Sequence, residues 1–309
     1  MNQDKTVASN PCGVLLLDKP AGRTSHDMVG WARRQFGIKQ VGHAGTLDPM
    51  ATGVLPVLIG RATKLSPFLS DHDKSYDAVL RLGIQTDSGD IWGHVVKDYS
   101  GSFLPSGDEV RTVCQQMTGK ILQIPPMYSA LKQNGQKLVD LASAGIEVPR
   151  EAREVIIHSL SCSKLTDSDY ALSVHCGKGT YIRALCEDIG SVLGCGGTMA
   201  SLRRTSVGGF QITDCLSPEA IEQMTTEEKH ALLIGPEDCF PAWNRIRLPD
   251  FYETLFRNGC SISCKKAHVD SPRGDHALMM DAAGRCYAVA DVNQGEEDTE
   301  LHSACMLII

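Results

Sequence analysis

Two short apolar runs, each closed off by proline or glycine, limit this chain's fold more than any other feature. Residues 13–18 (GVLLLD) stop at the turn Lys19-Pro20-Ala21-Gly22, and residues 54–60 (VLPVLIG) follow a glycine-punctuated loop over 41–53. Both read as buried strands, and both are far too short to span a bilayer. Between them Ser25 reads as an N-cap, with Asp27 in the first turn. Met28, Val29, Trp31, Ala32 and Phe36 then form an apolar stripe that Gly37 ends.

Further along, residues 62–70 read as a short helix, and 76–83 and 94–99 as two strands paired across the loop QTDSGDIWG. Ser106 with Glu109 three residues on forms a capping box, and that helix stops at Gly119. The segment 123–153 joins two prolines, a polar turn and a short helix over 137–144, which marks it as an excursion from the core. Strands follow at 155–160 and 170–176, then a helix over 180–193 with Thr180 as its cap. Short helices fill the acidic stretch 214–240. From Arg245 onward, strands and turns with one helix near 250–257 suggest a separate small β-rich domain.

The distribution of charge says more than its sum. The whole chain carries −7, but residues 214–309 carry −9, which leaves +2 on residues 1–213. Lys19, Arg23, Arg33, Arg34, Lys39, Arg61 and Lys64 stand against three acids in 18–64, a local basic surface compatible with a phosphate backbone. The first residues show no signal-peptide core, so a cytoplasmic protein is expected. Twelve cysteines without a CxxC pair, and histidines without ligand spacing, point to reduced thiols and no metal. Neither GxxxxGK[ST] nor a strand-linked GxGxxG occurs, so no nucleotide cofactor has a visible cradle.

Three segments invite a chemical reading. Ser25-His26-Asp27 imitates a hydrolytic triad only in composition, because consecutive residues at a helix start point in different directions. Asp48, however, is the sole acid between residues 28 and 70, set between Leu47 and Pro49 in GHAGTLDPMATG. Asp-Pro serves commonly as a turn, and loop carboxylates in apolar settings also serve function; composition leaves both open. In Lys178-Gly179-Thr180-Tyr181-Ile182-Arg183 the arginine falls in a first helical turn, where the helix dipole disfavours a cation. A specific anionic partner or a surface ion pair would each account for it.

The stretches LLLDKPAGRTSH, QVGHAGTLDPMATGVLPVLIGRATK, KSYDAVLRLG, PPMYSALKQNGQKLVDLASAGIEV and GKGTYIRALCEDIG together resemble the TruB family of tRNA pseudouridine synthases, in order across roughly 13–210. The resemblance implies an α+β pseudouridine-synthase fold, with a mixed, mainly antiparallel bent sheet flanked by helices. It divides the chain into a tail over 1–12, a catalytic domain over 13–245 with an RNA-gripping insertion at 123–153, and a PUA-type RNA-binding domain over 246–309. It implies conversion of uridine 55 in the TΨC arm of tRNA to pseudouridine, without cofactor or metal, by a monomer needing no membrane or protein partner.

By that resemblance Asp48 is the catalytic carboxylate, Arg183 its partner and Tyr76 the ring that stacks on the target base. His43 helps hold the flipped-out arm, Tyr181 belongs with Arg183, Lys19 and Pro20 support the catalytic loop, and Leu202 joins the substrate-binding set. Ala44, Thr46 and Gly177 vary within the family's motifs. Two rival readings remain: a non-catalytic RNA-binding module on the same fold, and a cofactorless hydrolase of small molecules. The complete Asp48, Tyr76 and Arg183 set argues against the first, and the insertion and basic patch against the second.

Overall fold

A computed structural model describes residues 11–99, 101, 104–296 and 298–307, so the expected tail lies outside the described residues as far as residue 10. The strands of the first half are β1 (Gly13–Lys19), β2 (Val41–His43), β3 (Thr52–Ile59), β4 (Lys74–Leu82), β5 (Ile84–Thr86), β6 (Val95–Asp98) and β7 (Gly119–Gln123). There follow β8 (Lys132–Gln133), β9 (Gln136–Lys137), β10 (Arg153–Lys164), β11 (Asp169–Cys176), β12 (Gly197–Val207) and β13 (Phe210–Gln211). The helices around them are α1 (Ser25–Phe36), α2 (Ser66–Ser70), α3 (Gly107–Gln116), α4 (Leu138–Ser143) and α5 (Ile182–Val192).

Nine strands form one sheet in the order β1-β3-β12-β4-β11-β10-β7, with β2 on β3 and β13 on β12. Every pairing is antiparallel except that of β12 with β3. The parallel contact brings Gly53 against Arg204, where an added Cβ would sit 2.1 Å from the Arg204 carbonyl oxygen. Only glycine fits that crossing, and its φ of 105° demands glycine as well. One face of the sheet turns Tyr76, Ala78, Leu80, Leu172, Val174 and Ile157 into a single core with Trp31, Val113 and Leu185 of α1, α3 and α5. The period-2 pattern of β4 and β11 is the direct cause: one side buries apolar area and the other stays polar.

Past α6 (Pro218–Glu222), α7 (Thr226–Ala231) and α8 (Pro236–Cys239), a second sheet collects β14 (Asn244–Ile246), β15 (Ile262–Ser263), β16 (His276–Met280), β17 (Cys286–Gln294) and β18 (Thr299–Met306). Its order is β14-β16-β17-β18-β15, with α9 (Asp250–Arg257) and α10 (Cys264–Ala267) beside it. β14 straddles the expected boundary between residues 245 and 246. The small sheet is packed onto the large one: Leu278, Met280 and Val289 share a core with Leu16, Leu58 and Leu65. Phe68 of α2 meets Trp243 and His276 edge-on, and Phe240 stacks on Trp243 at 4.0 Å. Among the described residues no helix is long and apolar enough to cross a membrane, and all twelve cysteines are free.

Three local expectations are corrected. Thr24, not Ser25, caps α1, its hydroxyl accepting from Asp27 N–H while the Asp27 carboxylate accepts from Thr24 N–H. Both residues are hydroxylated, and the choice is made by a tertiary bond that draws Ser25 inward. Likewise Tyr181, not Thr180, stands at the N-cap of α5, because the Thr180 hydroxyl turns back to donate to the Gly177 carbonyl. Finally, 76–83 does not pair with 94–99. β4 lies between β11 and β12, while β6 pairs with the three residues of β5 beyond Gly83. Proximity in sequence suggested the hairpin, but burial on one face of β4 drew it to the sheet's centre.

Candidate active site

Asp48 lies in the connection from β2 to β3, and that connection is fixed on both sides of it by residues far away in sequence. The Ser25 hydroxyl accepts from Leu47 N–H at 2.9 Å and donates to the Leu47 carbonyl at 3.2 Å. On the other side the Pro49 carbonyl accepts from Gly22 N–H at 2.9 Å and from the Lys19 ammonium at 3.3 Å. Lys19 also donates to the carbonyls of Pro20 and Arg23 and is wholly buried. Burial lowers its pKa to about 8, with the nearby Asp48 charge opposing. Arg204, buried on β12, donates to the carbonyls of Gly45 at 3.1 Å and Val54 at 2.8 Å. A loop whose carbonyls are held at Gly45, Leu47 and Pro49 keeps its carboxylate in one orientation.

That carboxylate meets Arg183 through two parallel bonds, Nε to Oδ2 and Nη2 to Oδ1, each 2.9 Å. This is the anionic partner that an arginine in a first helical turn requires. The guanidinium, 4% exposed, is completed by the carbonyls of Ser88 at 2.9 Å and Tyr128 at 2.7 Å. The Asp48 side chain keeps 26% of its surface, so a ligand can reach it. Burial raises its pKa above the ordinary carboxylate value; the Arg183 charge is the main opposing influence, and the Asp90 carboxylate adds to the rise. The site offers an oriented carboxylate able to attack carbon or take a proton.

Around this pair the other expected residues fall at graded distances. Tyr76 sits in β4 opposite Val174 and Arg204, and burial pushes its phenol up, with the Arg204 charge opposing. Tyr181 donates its N–H to Gln123 Oε1 at 2.8 Å and accepts Gln123 Nε2 at its carbonyl at 3.0 Å. Burial raises the Tyr181 phenol too, and the charges of Arg183 and Asp48 act on it. His43 ends β2 with a buried Nδ1 that has no hydrogen-bond partner, and burial and the Arg204 charge lower its pKa. Leu202 faces Ala78 across the β12–β4 ladder and belongs to the main core. Lys19 is thus bonded to the Asp48 loop, Pro20 to Lys19, Arg183 to Asp48 itself, and Leu202 lies at the periphery of the site.

Sequence reasoning missed Ser25 as a brace, and missed Arg204, Gln123 and Asp90 entirely. Only Arg204 left a trace, a charge at an inward position of the strand MASLRRTSV, visible once the register is known. An open cavity of ≈ 640 Å³ lies alongside, lined by Ala21, Met50, Thr52, Trp92, Leu202 and Arg203. Asp48 does not line it, but Met50, two residues on, does.

Comparison with known proteins adds to this geometry. Residues 33–182 match the family model described as TruB family pseudouridylate synthase (N terminal domain), and residues 183–235 match the tRNA pseudouridylate synthase B C-terminal domain. A protein of Aromatoleum aromaticum named tRNA pseudouridine synthase B is 44% identical over 247 residues, 80% of this chain and 80% of its own length. One of Burkholderia pseudomallei with the same name is 39% identical over 92% of this chain and 94% of its own. Among solved structures, a Cbf5-Nop10-Gar1 complex contains a chain of the same fold, with a TM-score of 0.70 and 24% identity over 94% of this chain and 83% of that one.

Proposed function

The chain belongs to the TruB family of pseudouridine synthases, and we propose that it isomerises uridine 55 in the TΨC arm of tRNA, with Asp48 as the essential carboxylate. The observation that carries this reading is the bidentate Asp48–Arg183 pair on a loop fixed at both neighbours of the aspartate. A pure RNA-binding module has no use for a carboxylate held in this way.

Pseudouridine formation breaks the N1–C1′ bond, turns the uracil and rejoins it through C5. Atoms and electrons balance within the substrate, so the reaction itself calls for no cofactor. Asp48 either adds covalently to the substrate or assists elimination at the sugar, and both routes need it ionised, which the Arg183 charge favours. The target base must first leave its stack, at a cost of a few kcal/mol. Stacking on the Tyr76 ring returns about 1–3 kcal/mol. His43, with its free buried nitrogen, and Tyr181 are the polar and aromatic contacts we assign to the flipped nucleotide, and Leu202 its apolar boundary. Lys19 serves by holding the Pro49 carbonyl, and Pro20 by accepting from the Lys19 ammonium.

In this reading the insertion over 123–153 grips the arm, and the unit beginning at β14 is a PUA-type RNA-binding domain. The enzyme works as a cytoplasmic monomer. Incubation with an unmodified tRNA transcript, followed by chemical sequencing for pseudouridine, tests the proposal: modification at position 55 supports it. An unmodified transcript, or modification confined to another position, overturns it.

A further inference from the structure

On the face of the sheet opposite Tyr76, three ligand-bearing side chains, from β10, from β11 and from the residue before β4, come together. Asp73 immediately precedes β4, His175 lies in β11 opposite Ser75, and His158 lies in β10. The register of β10 against β11 steps from Ile157↔Cys176 to Ser159↔His175, so His158 is the extra residue of a β-bulge. Bulges re-aim side chains, and this one sets the His158 ring beside that of His175, with centroids 4.8 Å apart. His158 Nε2 also lies 3.1 Å from Asp73 Oδ2. One donor atom from each residue falls within 4.8 Å of the other two, and all three residues are exposed.

We propose that Asp73, His158 and His175 form a binding site for one divalent transition-metal ion of the zinc class. Two imidazole nitrogens and one carboxylate oxygen suit Zn2+, Co2+ or Ni2+, whereas Mg2+ and Ca2+ call for oxygen donors throughout. Metal–ligand bonds of about 2.0–2.1 Å require the donors to draw inward, which exposed side chains on a rigid sheet achieve by rotation. The fourth position is left to water. The bound ion ties the turn before β4 to β10 and β11, on the far side of the sheet from the Asp48–Arg183 pair. Residues 73, 158 and 175 are too widely spaced for any sequence motif to reveal the set.

The test uses the full chain after chelator treatment and dialysis, titrated with Zn2+ and separately with Co2+. One equivalent bound is expected, with affinity weakened at least about tenfold in each of His158→Ala and His175→Ala. Asp73→Asn should weaken it as well. Added Zn2+ should raise the melting temperature of the wild type but not of the double variant His158→Ala/His175→Ala. Because the protein has free cysteines, Co2+ supplies the discriminating signature: absorption without thiolate charge transfer. Equal zinc uptake by wild type and double variant, a thiolate band with Co2+, or no uptake by the wild type would each overturn the proposal. Both histidines are exposed, so the variants leave the core intact.

Discussion

The Asp48 loop and the insertion over 123–153 are both non-repetitive segments of this molecule, yet they are built on opposite plans. In the loop, Ala44, Leu47, Met50 and Ala51 are buried, and the carbonyls of Gly45, Leu47 and Pro49 are held by Arg204, Ser25, Lys19 and Gly22. In the insertion, α4 buries only Leu138, and the hairpin of β8 and β9 presents Lys132, Gln133, Gln136 and Lys137 to solvent or half to solvent. Ties such as Arg150 to the Pro125 carbonyl and Gln133 to the Pro149 carbonyl stay within the insertion itself. The contrast suits the division of labour proposed above, in which chemistry on a small group needs preset geometry and gripping a folded RNA needs a surface that adjusts. Arg183 bonds to both regions, through the Asp48 carboxylate and the Tyr128 carbonyl.

That contrast predicts which measurement each substitution moves. Asp48→Asn should abolish turnover while tRNA still binds, and substantial turnover in the purified variant would remove Asp48 from the chemistry. Arg183→Lys keeps the charge but loses the two-pronged grip, so turnover should fall at least tenfold, about 1.4 kcal/mol of transition-state stabilisation. Unchanged kinetics would leave Arg183 a structural cation only. Ser25→Ala removes one brace of two bonds worth about 1 kcal/mol and should slow single-turnover chemistry several-fold with tRNA affinity intact. The insertion should respond the opposite way: Lys132→Ala with Lys137→Ala should weaken binding and flatten its salt dependence by roughly one unit of slope per lysine, at unchanged saturating turnover. A loss in turnover rather than affinity would merge the two regions.

The smallest effect lies in pH dependence. The proposed chemistry requires Asp48 to be ionised, and its pKa is raised, so activity should disappear on acidification at a higher pH than an ordinary aspartate would set. Asp90 contributes to that rise through its charge. Asp90→Asn should therefore move the acid limb of kcat/KM downward in pH and leave neutral activity near wild type. An upward move would mean Asp90 acts on Asp48 other than through charge.

Much of the frame was legible in local chemistry. The Ser106–Glu109 capping box forms as read, and Gly37 closes α1 at φ 63°. The misplaced cation at Arg183 correctly announced an anion. What could not be read depended on distant partners: whether Ser25 or Thr24 capped α1 was decided by Leu47, and the neighbours of β4 by the burial of its inward face. Arg204 remained hidden because its partners in the loop are backbone carbonyls, which carry no residue identity for a motif to display.

The aromatic contact between the two sheets also gives the molecule its own optical reporter. Of three tryptophans, Trp31 lies in the main core, Trp92 is exposed, and Trp243 stacks on Phe240 with Phe68 and His276 around it. With Trp31 and Trp92 replaced by Phe, emission from Trp243 would follow the junction alone. A red shift in denaturant ahead of the far-ultraviolet transition would show the small sheet parting before the large one melts; coincident curves would show that the shared core makes them one cooperative unit.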